Sequence, residues 1–186
     1  RHRRLASDRS PDVCSSHPRV TILGRQEAAL KARIDAGDAA ALIVADVTDA
    51  SAFEKTMTRI AADEAIDILV NNAGAAISAP FLKTSHADFQ RMLDVNLLGP
   101  VIATQALVPG LVARKFGRII NIASTAALKG YPYLSAYVAA KHGLLGLHPP
   151  FAVEPPRTVS TAHPISPAFH HTTLAHRTAT TIAPPH

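Results

Sequence analysis

The chain has 186 residues, 47% of them apolar, enough for one domain of ordinary size with a real core, and no run approaches the roughly 18 apolar residues of a membrane span. The basic start RHRRLASDRS is not followed by the apolar stretch of a secretory leader, and the single cysteine, Cys14, cannot form an internal disulfide, so a soluble protein of the reducing cytoplasm is expected. The net charge of +5 lies wholly in residues 1–33, where eight Lys/Arg face three Asp/Glu; the remainder is neutral by that count, which argues against a nucleic-acid-binding face on the folded body.

Residues 1–18 show neither helical nor strand periodicity. From Arg19 onward, short apolar runs alternate with helical patterns. RVTILG (19–24) predicts a strand, RQEAALKARIDAG (25–37) a helix and AALIVAD (40–46) a second strand. DASAFEKTMTRIAADEA (49–65) puts Phe53, Met57, Ile60 and Ala61 on one helical stripe. IDILVNN (66–72) predicts a strand, and the long stretch from about His86 to Arg114 a helix, with Phe89, Met92, Leu93, Asn96 and Leu97 on one face. RIINIAS (118–124) predicts another strand, and SAYVAAKHG (135–143) a helix on which Tyr137 and Lys141 stand one turn apart on the same side. The predicted strands are rich in Val and Ile with little alternation, as in a parallel sheet buried on both faces. Strand and helix in this order give right-handed crossovers. The expected fold is therefore α/β: a doubly wound, Rossmann-like parallel sheet in three αβα layers, one domain over 1–186 with atypical ends at 1–18 and 148–186.

In such a sheet, ligands sit outside the carboxyl ends of the strands. Those ends read Gly24-Arg25, Asp46-Val47, Asn71-Asn72-Ala73-Gly74 and Ala123-Ser124. The helix of Tyr137 and Lys141 follows the last of these, so Ser124, Tyr137 and Lys141 are expected in one cleft. Asn96 joins them as the polar member of an apolar stripe, where a buried amide needs partners. Taken alone, the Tyr–Lys pair reads equally well as a half-exposed helix with a packed ring and a snorkelling lysine.

The sequence resembles the short-chain dehydrogenase/reductase family, in its oxoacyl reductase and hydroxyacyl dehydrogenase-like branch. The resemblance rests on NNAG at 71–74, DVN at 94–96, Ser124 thirteen residues before Tyr137, and Tyr137-x-x-x-Lys141 followed by His142-Gly143. It is continuous from about Arg19 to Leu147. It implies an alcohol/carbonyl oxidoreductase using a nicotinamide cofactor, with Tyr137 as general acid/base, Ser124 holding the carbonyl oxygen, Lys141 positioning the ribose and Asn96 supporting a water relay. It also implies a homo-oligomer, dimer or tetramer, packed through the helices of Asn96 and Tyr137. Cofactor contacts carried over are Arg25, Asp46, Val47, Asn72, Ala73, Gly74, Tyr137, Lys141 and Pro167, with no metal. The chemistry is consistent with these roles. A free phenol, with a pKa of about 10, is a poor base at neutral pH. An adjacent ammonium and a cationic oxidised nicotinamide favour phenolate. Arg25 stands where a ribose 2′-phosphate would be read, favouring NADP(H) over NAD(H), or is a solvated first-turn arginine. Asp46 caps the following helix or contacts adenine. His142 is expected at the surface.

Both ends depart from the family pattern. Its first strand and Gly-x-x-x-Gly-x-Gly turn, whose amides hold pyrophosphate, are not recognisable in residues 1–18. Arg1-His2-Arg3-Arg4 is compatible with a frame in which the codons read Gly-Ile-Gly one base later. Pro149, Pro150, Pro155 and Pro156 are expected to end the Tyr137 helix near His148. The family's Asn-x-x-x-Pro-Gly is echoed only by His163 to Ala168, and no last strand is recognisable beyond Leu174. The chain is thus either a reductase or dehydrogenase acting on a small alcohol or carbonyl substrate, or a non-catalytic relative that keeps the scaffold or oligomer face without binding nucleotide.

Overall fold

The structure, a computed structural model, describes residues 18–147 and the backbone of 160–165. Cys14, the four prolines of 149–156, Pro167 and Ala168 lie outside the described residues. The chain forms two compact units divided between Val44 and Ala45.

In the first unit, β1 (Thr21–Gly24) and β2 (Ala41–Val44) pair in parallel, Thr21 opposite Ala41 through Gly24 opposite Val44. Parallel pairing requires a crossover, supplied by α1 (Glu27–Asp35). This helix has no buried residue and no capping side chain; its Glu27–Lys31 pair at 2.7 Å is exposed, where solvent screening leaves it little weight. Gly37, with φ of +78°, ends it in the left-handed region where glycine is free of Cβ strain.

The second unit is a parallel sheet with helical crossovers, and the fold is α/β. Its strands are β3 (Ile68–Asn71), β4 (Arg118–Ile122) and β5 (Ser160–Ile165), in that order across the sheet. Helix α2 (Ala50–Asp63) opens at Asp49, whose carboxylate accepts from the Ala52 amide at 3.0 Å. Of its apolar stripe, Phe53 and Met57 are buried, and it packs against α4 (Gly99–Arg114). Helix α3 (His86–Leu93) begins with a reciprocal capping box between Ser85 and Asp88. Helix α5 (Ser135–Gly146) ends where the prolines predict.

Four features differ from the sequence expectations. The helical stretch 86–114 is continuous, but Asp94–Leu98 is wound as a π turn in which the Gly99 amide reaches back to Asp94 O. This run is long and apolar enough to cross a membrane by length and composition, more apolar than the run count suggested. Its residues Met92, Val95, Ala103, Leu107 and Leu111 are nevertheless buried, and it packs on α2 and α5, as a core helix does. The strands are not all buried on both faces: Leu69 packs with Val108, Leu111 and Ile119, whereas Ile68 and Val70 are 54% and 52% exposed. Helix α4 covers one side of β3, and alternate side chains point to the other. Finally, β5 is a strand that the sequence reading did not assign. It contains Pro164, which is tolerated because β5 is an outer strand of the three among the described residues.

Candidate active site

The carboxyl ends of β3 and β4 and the start of α5 carry the site. After β4 the chain passes the buried Ala123 to Ser124, whose hydroxyl accepts from the Ala126 amide at 3.1 Å and caps a short 3₁₀ turn, Thr125–Ala127. Helix α5 packs against that turn, against α3 and against the π turn. These contacts rest on small residues: Ala136 and Ala140 of α5 are buried with Met92, and the half-buried Tyr137 ring packs on that cluster with Ala75, Ile77, Phe89 and Leu93. A methyl built on Gly143 would come within 3.0 Å of Leu97 Cδ2, so the glycine after His142 allows α5 and the π turn to approach closely.

Lys141 is only 4% exposed. Its Nζ donates to Ile122 O at 2.7 Å and stands 5.9 Å from the Tyr137 ring centroid. Burial pushes its pKa down from 10.5 to about 8, because the ammonium has lost most of its water. Asn96, in the π turn, is fully buried. Its Nδ2 donates to Ala75 O at 2.9 Å and Met92 O at 3.0 Å, leaving Oδ1 without a partner among the described residues. A methyl on Gly74 would lie 3.3 Å from Asn96 Oδ1 and 4.0 Å from Lys141 Nζ, so the two side chains meet beside this glycine. Asn72, Ala73 and Gly74 are exposed there. The next loop is tied to the segment before α5: the Ala79 amide donates to Tyr133 O at 2.9 Å, with Tyr133 at a φ of 64°.

The structure thus brings Gly74, Asn96, Tyr137 and Lys141 together, with Ser124 on the turn against which α5 packs. Val47 packs under the start of α4, its Cβ 3.1 Å from where a Gly99 methyl would stand. Asp46 does not cap α2, contrary to one of its two sequence readings. Its Oδ1 accepts from the Thr48 amide (2.9 Å) and hydroxyl (2.7 Å) in a local turn, and the cap falls to Asp49. Arg25 is exposed after β1 in the first unit. His142 is exposed, as expected, with Nδ1 2.9 Å from Val138 O. Two groups beside these residues are not among those singled out from the sequence. Asn121, a polar residue inside an apolar strand, carried a visible signal. The Ile122 carbonyl had none, since every residue has one.

The family model for short chain dehydrogenase matches residues 11–183. The chain belongs to this family. Among similar proteins, an oxidoreductase of Bacillus subtilis, YxjF, is 35% identical over 91% of this chain and 62% of its own length. The NADP-dependent 3-hydroxy acid dehydrogenase YdfG of Escherichia coli is 40% identical over 69% of this chain and 53% of its own. The chain therefore spans less than two thirds of these family members. A gluconate 5-dehydrogenase from Burkholderia cenocepacia, solved with NADP and tartrate, superposes with a TM-score of 0.74 at 29% identity, covering 84% of this chain and 64% of that one. A short-chain dehydrogenase from Streptomyces avermitilis gives 0.77 at 28% identity, over 84% and 58%.

Proposed function

We propose that the protein is an NADP(H)-dependent oxidoreductase that interconverts a secondary alcohol and a ketone, of the 3-oxoacyl/3-hydroxyacyl kind, with Tyr137 as general acid/base. The observation that carries this reading is the buried Lys141 ammonium, anchored on Ile122 O one helical turn from Tyr137 and beside Gly74. A lysine used only for packing would send its charge to water; this one keeps it at the strand ends.

The residues fit the nicotinamide-ribose end of the cofactor. Gly74 has no side chain, so a ligand can approach the backbone of 72–74 closely, and Lys141 has donors to offer to ribose hydroxyls. The Asn96 Oδ1 has an acceptor lone pair to spare. NADP(H), when bound, supplies or takes the hydride. Tyr137 gives a proton to the carbonyl oxygen during reduction and takes it back during oxidation. Ser124 stabilises the negative charge that grows on that oxygen. The Lys141 charge lowers the cost of leaving a phenolate, and Asn96 holds a water through which the proton is exchanged. By the family resemblance, Arg25 would recognise the 2′-phosphate, and Asp46, Val47 and Pro167 would be the remaining cofactor-binding residues. The names of the NADP-dependent relative and of the NADP-bound neighbour support this cofactor. Assembly of copies through the helices of Asn96 and Tyr137 belongs to the same reading.

The test is Tyr137→Phe, which keeps the ring and deletes the proton carrier. With NADPH and a panel of 3-oxoacyl and 5-oxo sugar acid substrates, turnover should fall by at least about 10²-fold while NADPH affinity is kept. Retained turnover would remove Tyr137 from the acid/base role. A parent chain that binds no NADPH would support a non-catalytic scaffold instead.

A further inference from the structure

Three buried polar side chains lie just behind the site and are not used by the chemistry above. Asn71 and Asn121 are register partners at the ends of β3 and β4, 8% and 4% exposed. Asn71 Nδ2 donates to Asn121 Oδ1 at 2.8 Å and to Thr104 Oγ1, on α4, at 3.3 Å. Thr104 is 3% exposed. The nearest apolar neighbours along the same ladder, Leu69 and Ile119, pack on α4 without polar contacts. An amide pair is expensive to bury in that position unless it fixes something, because each group gives up its water.

The residues just after each asparagine are the ones held in place. Asn121 is succeeded by Ile122, whose carbonyl accepts the Lys141 ammonium, and three residues on by Ser124. Asn71 is succeeded by 72–74, ending at the glycine beside which Lys141 and Asn96 meet. We infer that Asn121 is a positioning residue: joined through the Asn71 amide to Thr104, it helps lock the ends of β3 and β4 to α4 and so holds the Ile122 carbonyl against Lys141. The backbone ladder alone does not do this, since a ladder fixes two strands to each other but not to a helix. The inference rests on the reading of Lys141 as a site residue, and its test needs no turnover.

In the full chain, trace labelling of Lys141 with acetic anhydride across pH, quantified on its peptide, gives the midpoint of its titration directly. Two variants are compared. Asn121→Leu strands the Asn71 amide. The triple Asn71→Leu/Thr104→Val/Asn121→Leu removes all three polar groups, which restores stability when groups are merely satisfying one another. The expected result is that the triple variant melts cooperatively near the parent temperature while the Lys141 midpoint falls by roughly half a unit or more, since the charged amine has lost a fixed acceptor. An unchanged midpoint, which would mean that the Ile122 carbonyl stays on Lys141 without the three side chains, overturns the inference. Failure of both variants to melt cooperatively also overturns it, by showing that the three residues hold the fold rather than the site. If Tyr137→Phe keeps its turnover but the midpoint falls, the acid/base assignment fails and the positioning role stands.

Discussion

The two sides of β3 have different fates. Leu69 and Asn71 face α4 and are packed or hydrogen-bonded into the closed side of the second unit. Ile68 and Val70, which alternate with them, remain more than half exposed. The apolar run ILV cannot distinguish these sides, because what separates them is the helix that crosses one of them. Burial follows the crossover and not the hydrophobicity of the strand. The buried Lys141, stripped of water, is anchored at the end of β4, whereas Ile68 and Val70 on the other side of β3 keep their contact with solvent.

The contrast between the sides is tested most directly at Leu111, which is fully buried against Ile119. Leu111→Ala should cost about 2–5 kcal/mol. Gly117→Ala, whose new methyl would meet Leu111 Cδ2 at 2.5 Å and Cβ at 3.1 Å, should cost roughly 1–3 kcal/mol. Urea melts at constant slope measure both, and a loss under about 0.5 kcal/mol in either would mean that the closed side is not packed as described.

Lys141 gives a more specific and smaller effect. Its folded pKa lies near 8, below the ordinary 10.5, so between those values the unfolded chain binds more protons than the folded one. Stability should then rise as pH goes from about 8 to 10.5, with the penalty fully present below 8. Lys141→Met should remove that rise; parent and variant melts across this range should converge toward alkaline pH, and parallel curves would show that the amine is hydrated.

The smallest effects are expected on the open side. Ile68→Thr and Val70→Thr keep β-branching and should change stability by no more than about 0.5 kcal/mol each. Losses as large as that of Leu111→Ala would show that this side is covered in solution, which would erase the contrast.

Much of the candidate site stands out in the chain because its residues are chemically unusual where they stand. A tyrosine and a lysine one turn apart among alanines, an asparagine on an apolar stripe and a serine at a strand end each break a local pattern. The π turn was not legible: an i→i−5 bond leaves the residue types unchanged and shifts only which side chain faces inward. The capping role expected of Asp46 fails for a related reason, since two aspartates three residues apart can both begin a helix and only the backbone decides that Asp49 does. β5 was missed because Pro164 argues against a strand unless the strand is known to be outermost.

The alternation of strand and helix, the α/β class and the residues that carry reactive groups were set by the amino-acid order alone, because periodicity and residue chemistry are local properties. Which apolar residues are buried, where the Lys141 charge is anchored and which polar groups tie the strand ends together were settled only by the packed chain. Those outcomes depend on backbone carbonyls and on neighbours tens of residues away, such as Ile122 for Lys141 and Thr104 for Asn71. A backbone carbonyl has the same composition at every position, so only its place in space makes it a partner.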